Sequence, residues 1–437
     1  MWEHHYFLHH SIQASSIGPI PLIERCDGAA RKFNIFIFRL VFMASTHKPL
    51  ILQRNLHIVF SVTLIAVLGV SSITPVFPLV RQVFGITASQ VGLLITMFTL
   101  PGVILSPVLG VLADRYGRKK ILVPSLFLFA VAGTWCGFTR DFGWLVFFRF
   151  LQGTGAAAIG ALNITLIGDL YSGKTRATAM GYNASVLSVG TAIYPAIGGA
   201  LATLAWNYPF YHPALALPVG LFVIVRLDNP EPRSQQSLKL YLQAVVRSFG
   251  NRTVIGLFLI SGLTFIILYG SFLTYLPLHL DEKFGTPPYQ IGFILSFASL
   301  ATAVISTQLG RMVSKVSYRT LLIGVNVIYL VSMVLIPFTG SQWWMLLPSG
   351  LFGLAQGINI PALQTLLAGS APLEYRAAFL SANGTVLRLG QTLGPVVIGA
   401  VYLGMGMDAT FYAGGLIAVV MGMVVVLMIG KTNPSGN

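Results

Sequence analysis

Acidic side chains are scarce in this 437-residue chain, with twelve Asp and Glu against 27 Lys and Arg. A soluble domain carries roughly a quarter of its residues as charges. Here 9% are charged and 55% are hydrophobic, with a mean hydropathy of +0.78. That composition excludes an ordinary water-soluble fold and makes lipid the solvent for most of the chain. Cysteine is scarcer still: Cys26 and Cys136 are the only two, so no disulfide framework is implied. His4, His5, His9 and His10 cluster near the start, but without cysteine partners they read as no metal site. Metal-ligand clusters and paired carboxylates inside apolar runs are both missing. We therefore read the chain as a non-enzyme without metal or cofactor.

Apolar runs fill most of what remains. A helix needs about 20 apolar residues to cross a ~30 Å hydrocarbon core. Twelve windows meet that need, at roughly 56–80, 89–112, 121–138, 142–168, 177–205, 208–226, 254–278, 289–309, 320–338, 343–368, 377–404 and 409–430. The expected fold is an all-α membrane protein of twelve transmembrane helices in two six-helix bundles. The bundles span 55–226 and 254–430, joined by a cytoplasmic linker at 227–253 and followed by a tail at 431–437. Residues 1–54 form an extension without a signal-peptide pattern. It is expected to be disordered, or to be untranslated before Met43.

The net charge of +15 invites a nucleic-acid reading until its location is considered. With an inside N-terminus, only Arg81, Arg140 and Lys283 fall on outer loops, Arg149 and Arg388 fall inside spans, and the other cations lie on inner segments. Basic inner loops set membrane orientation. Nucleic acid is therefore not needed as a partner, and both termini are expected in the cytoplasm.

The chain repeats itself. Gly110-Val-Leu-Ala-Asp114-Arg115-Tyr-Gly117-Arg118-Lys119-Lys120 returns in degraded form as Gly310-Arg-Met-Val-Ser314-Lys315-Val-Ser317-Tyr-Arg319. The same offset of 200 relates Arg176 to Arg376, Gly190 to Gly390, Pro195 to Pro395 and Gly199 to Gly399. Parallel halves related by an axis along the membrane normal are a recurrent transporter architecture.

Gly110 to Lys120 resembles the loop signature G-x-L-A-D-R-x-G-R-K between spans two and three of the major facilitator superfamily. Arg149-Phe-Leu-Gln152-Gly153-Thr-Gly155 resembles that family's fourth-span motif. Gly181, Gly190, Pro195, Gly198 and Gly199 fall on the fifth-span spacing of its antiporters, especially the twelve-span drug/proton branch, with Tyr194 standing where that motif has Gly. The resemblance covers about residues 50 to 430. It implies a secondary active transporter that moves small molecules by alternating access, an efflux antiporter with protons as counter-ion, monomeric in the cell's inner membrane. The residues leave open a facilitator or importer of a small organic anion that uses Arg388.

Asp114 ends span two, where the helix dipole disfavours an anion. Arg118, four residues on, can compensate it, and the resemblance brings Asp169 within reach of Arg118. Asp114, Arg118, Asp169, Gly110 and Gly117 are thus expected to form a cytoplasmic latch that faces the start of span eleven and favours the outward-facing state. Gly190, Pro195, Gly198, Gly199, Gly390, Gly394 and Pro395 are expected to let spans five and eleven approach neighbours, because helix contacts in lipid favour small residues.

Charge inside a membrane is costly and marks function. Arg388 lies twelve residues beyond Arg376, about 18 Å along a helix, hence near the midplane. Arg149 lies nearer the outer end of span four, where substrate contact and a structural role weigh equally. Both join the substrate or coupling candidates, with Gln152, Asn183, Tyr194, Gln356, Asn359, Asn383 and Gln391. Asn163, Thr264, Tyr269 and Ser296 are further polar groups in spans that would line a central cavity. No acid occupies the middle of any span, so a proton carrier is not obvious.

Overall fold

The computed structural model describes residues 50–228, 251–370 and 376–430. The segment holding Cys26, Met43 and the four clustered histidines, most of the 227–253 linker and the 431–437 tail lie outside the described residues, as do the side chains of 376–378. Among the described residues, twelve helices are long and apolar enough to cross a membrane. They are α1 (Arg54–Phe84), α2 (Ala88–Tyr116), α3 (Arg118–Phe138), α4 (Phe142–Leu170), α5 (Gly173–Leu204) and α6 (Tyr208–Arg226), then α7 (Arg252–Phe284), α8 (Pro288–Ser306), α9 (Tyr318–Phe338), α10 (Leu346–Ser370), α11 (Phe379–Met405) and α12 (Met407–Met428). One short helix, Leu309–Val313, bridges α8 to α9.

Helix ends follow backbone chemistry more than hydropathy. The apolar windows 56–80 and 254–278 stop where Arg81-Gln82 and Asp281-Glu282-Lys283 begin, yet both helices continue to a glycine. Gly85 and Gly285 adopt φ of +60° and +61°, a left-handed cap that costs a side-chain-bearing residue energy. Gly117 separates α2 from α3 with φ +101° and ψ 137°, a more extended backbone that glycine also adopts readily. Thr87 opens α2 with a reciprocal capping box to Gln90. α1 and α7 are also irregular at matching depths. α1 passes through a 3-10 turn at Thr74–Val76, and α7 widens into a π-helix over Ile267–Tyr275.

The first six helices meet the last six along two seams, α5 against α8 and α2 against α11. Glycines permit the approach. A methyl on Gly292 of α8 would collide with the Pro195 carbonyl of α5, and one on Gly199 would collide with the Pro288 carbonyl. Gly92 lies against Pro395 in the other seam. Seam contacts are unevenly distributed along the membrane normal. Thr385 apart, the hydrogen bonds and ion pairs that cross from the first six helices to the last six among the described residues all lie in the half away from the basic loops. They are Arg81 with Glu282, Gln82 Nε2 donating to Asp281 Oδ2 at 3.4 Å, Thr96 Oγ1 to the Thr392 carbonyl at 3.1 Å, Thr99 Oγ1 with Thr392 Oγ1 at 2.9 Å, and the Ala196 amide to Ser296 Oγ at 3.0 Å. Towards the basic end a methyl at Gly110, Gly181, Gly310 or Gly384 would meet nothing within 4 Å, whereas one at Gly256 would meet Met428. Polar contacts bridge the halves at one end, and none is identified between described residues at the other.

Candidate functional site

The loop between α2 and α3 brings the expected latch together. Arg118 pairs with Asp114 one turn earlier, and its Nε donates to Asp169 Oδ2 at 2.8 Å. The Arg118 side chain is only 4% exposed. The two carboxylates therefore neutralise a cation removed from water, which makes breaking either pair expensive. Gly117 supplies the positive-φ turn that swings Arg118 back. Gly110 touches nothing and is uncrowded in this state. The side chains at the start of α11, the surface that the latch was expected to face, lie outside the described residues.

Arg149 occupies a different setting from a cavity-lining charge. It is 0% exposed. Its Nε donates to the Leu94 carbonyl of α2 at 3.1 Å, and its Nη1 donates to the Gly69 carbonyl of α1 at 2.9 Å and to Gln152 Oε1 at 2.7 Å. The guanidinium stands 4.3 Å from the centre of the Phe98 ring. One side chain thus ties α1, α2 and α4 together, and Gln152 serves as its acceptor. Gly153 and Gly155 complete the motif by letting α4 press on the Phe98 carbonyl of α2 and the Ser125 carbonyl of α3. Arg149 and Gln152 were expected to offer polar groups to a substrate; here both are buried, and Arg149 spends Nε and Nη1 on α1, α2 and Gln152 while its Nη2 keeps no partner.

Two Thr/Asn/Asn clusters occupy corresponding places. In the first, Asn163 Nδ2 of α4 donates to Thr63 Oγ1 of α1 at 2.6 Å, and Thr63 contacts Asn183 of α5. In the second, Asn359 Nδ2 of α10 donates to Thr264 Oγ1 of α7 at 2.7 Å. Asn383 of α11 is buried there with its Oδ1 unpartnered, as is the whole side-chain amide of Gln356. Asn383 borders a small pocket with Ser261, Thr264, Phe265, Gln364 and Leu387. The glycines among the packing candidates lie close to neighbouring chain. Gly198 meets the Ser72 backbone, Gly390 the Gly262 carbonyl and Gly394 the backbone of Gly270, while Gly190 sits beside Leu64 and its own-helix neighbour Tyr194. Tyr194 and Gln391 are both half-buried.

Arg388 stands apart. Its Nη1 lies beside Gly102 of α2 and its Nη2 beside Gly160 of α4, where either glycine's missing side chain makes room for it. The cation therefore reaches from α11 across the seam at mid-membrane depth, just below the Thr99–Thr392 contact. Among the described residues no carboxylate pairs with it. Tyr269 is the titratable group within electrostatic reach, and its ring stacks on Phe265 at 5.8 Å.

Sequence reading overlooked several participants. Thr96, Thr99 and Thr392 carry no motif, and their role emerges only from seam geometry. His279, 4% exposed beside Asp408 at 3.9 Å, also escaped notice. Gly168 to Thr175 has the G-x-x-x-x-G-K-T spacing of phosphate-binding loops. Here Gly168 and Asp169 end α4, Tyr171 and Ser172 are extended, and Gly173 opens α5. The run joins two helices and lacks the strand that sets up a phosphate cradle.

Known proteins place this arrangement. The chain is 26% identical over 361 residues to the bacillibactin exporter of Bacillus subtilis (strain 168), covering 80% of this chain and 90% of the relative. It is 26% identical over 380 residues to multidrug resistance protein 2 of the same organism, covering 84% and 94%. Quinolone resistance protein NorA of Staphylococcus aureus is 24% identical over 385 residues, covering 87% and 96%. Among solved structures, a bacterial homologue of the lysosomal transporter Spinster, described as inward-facing and occupied, matches with a TM-score of 0.72 at 16% identity, covering 85% of this chain and 96% of that one. A point mutant of the nucleoside transporter NupG matches with a TM-score of 0.73 at 15% identity, covering 86% and 100%. The description "Major Facilitator Superfamily" fits residues 59–290 and 258–437, and with twelve spans in two repeated sets this integral membrane transporter belongs to that superfamily.

Proposed function

We propose that this transporter is an efflux antiporter for small organic molecules and that it is seen here with its central cleft open to the cytoplasm. The observation that carries the reading is one-sided contact: Thr385 apart, polar contacts between described residues of the two halves lie towards the end away from the basic loops. Orientation by basic inner loops makes the other end cytoplasmic, which is where an exporter collects its substrate. The first and last six helices are the two bundles that rock against each other around a midplane site. The Asp114–Arg118–Asp169 network is formed on one side of the cytoplasmic seam, ready to engage α11 when that end closes. Export as the direction, and protons as the counter-ion, draw support from the named relatives and the fifth-span motif. Proton carriers would have to sit at the ends of the spans, at Asp114, Asp169 or the His279–Asp408 pair, because no acid lies at mid-depth.

Inside-out vesicles test direction and coupling together. A fluorescent quinolone should accumulate in them, and an acidic lumen should accelerate the accumulation. Accumulation restricted to right-side-out vesicles, and indifferent to a pH gradient, would favour the facilitator or importer instead.

A further inference from the structure

A guanidinium at mid-membrane depth costs several kcal/mol unless something offsets its lost hydration. Arg149 meets this cost with two carbonyls, an amide oxygen and a ring face. Arg388, on the helix that forms one wall of the seam, meets it with none of these. Its guanidinium makes no hydrogen bond or ion pair among the described residues. Nor are its nitrogens among the buried unpartnered atoms, and the residue itself is half-buried. The space around it points the same way. Gly384, one turn nearer the basic end on the same helix, faces open space. Gly102 and Gly160 flank the guanidinium where any side chain would displace it. Thr99 and Thr392 close the other side.

Next to the cation, Phe265 and Tyr269 present two parallel rings, 16° from coplanar. Further along α11, Asn383 keeps an unpartnered buried Oδ1 at the rim of the small pocket. These groups make complementary demands: an anion for Arg388, a flat apolar body for the rings and a hydrogen-bond donor for Asn383. We propose that Arg388 is the anchor of the substrate site and that the substrates are organic anions, carboxylates attached to a flat apolar body, bound from the cytoplasmic end. The proposal rests on the transporter reading above and names its substrate class.

Charge balance adds a second consequence. Closing the cytoplasmic end over an empty site would strand the Arg388 charge away from water, whereas a bound carboxylate neutralises it. The loaded carrier therefore changes state more readily than the empty one, since a ligand shifts an equilibrium by its differential interaction with the two states. Substrate on the far side should accelerate efflux from the near side.

The test measures binding to purified full-length protein in detergent, with no membrane gradient, so a failure of export or of proton coupling leaves its outcome independent. The probes are 2-naphthoate, the neutral isostere 2-naphthamide and the cation 2-naphthylmethylammonium. A charge-assisted contact predicts that naphthoate binds at least about tenfold more tightly than the amide, with the cation weakest. Arg388→Gln should erase the difference between acid and amide, and Arg388→Lys should restore part of it. Should Arg388→Gln fail to fold, Gly160→Ala keeps the charge but places a methyl against the guanidinium, and it should weaken naphthoate selectively. Equal binding of acid and amide by the unaltered protein, or preference for the cation, overturns the proposal. So does undiminished naphthoate selectivity in Arg388→Gln.

Discussion

Two arginines sit inside the membrane, and their surroundings are opposites. Arg149 on α4 is 0% exposed and donates to two carbonyls and Gln152. Arg388 on α11 reaches across the seam to two glycines and has no such partners. Both carry the same charge at the same chemical cost, so the difference lies in where that cost is met: within the protein for Arg149, and by solvent or a bound anion for Arg388. An intramembrane charge marks function only after its hydrogen bonds have been counted. The glycines show the same contrast. Gly198, Gly199 and Gly292 are pressed against backbone, whereas Gly110, Gly181 and Gly384 are free. Along α5, contact is tight at Gly198 and Gly199 and open at Gly181.

The contrast is most exposed to refutation at Arg149. Replacing it with Gln leaves the Leu94 and Gly69 carbonyls without their donor, and each buried acceptor left unsatisfied costs about 1–3 kcal/mol. Arg149→Gln should therefore lower folded yield several-fold in fluorescence-detected size-exclusion chromatography, while Arg388→Gln stays folded and loses anion recognition. Equal folding losses in both variants would erase the distinction. The next largest effect is expected at Gly198, where a leucine would overlap the Ser72 carbonyl. Gly198→Leu should abolish transport, and Gly384→Leu at an open position should leave the fold intact by the same chromatographic assay. Transport at wild-type rate by Gly198→Leu would show that the contact at Gly198 is not tight. The smallest effect belongs to Asp114→Asn. Arg118 keeps Asp169, so abundance should survive while turnover falls several-fold in initial-rate measurements at matched protein level. An unchanged rate would deprive the latch of its role.

The architecture was legible in the sequence because lipid imposes one demand on every span, a long apolar run. The 200-residue offset then located corresponding positions, and the structure adds the pair Gly85 and Gly285, which end α1 and α7 with matching left-handed caps. The Asp114–Arg118–Asp169 ion pairs were legible as well, since their members occupy a short motif and the end of the next helix but one. Helix rotation was not legible. An apolar span has polar residues too thinly spread to fix which face points inward, so Arg149 and Arg388 both stood among the substrate candidates, and Gln356 and Asn359 joined them although both are buried in α10. The threonines at 96, 99 and 392 were invisible for the same reason. A Thr in a helix bonds its own backbone as readily as a neighbour's, and only the seam decides which.

Accessibility of position 384 is the most direct measurement of the central claim, that a cleft reaches Arg388 from the cytoplasmic end while the opposite end is sealed. With Cys26 and Cys136 replaced by Ser, a single Gly384→Cys should react rapidly with a membrane-impermeant thiol reagent in inside-out vesicles and slowly in right-side-out cells. Added 2-naphthoate should slow the reaction. Rapid labelling from the outer side, or equal labelling from both sides, would contradict the account.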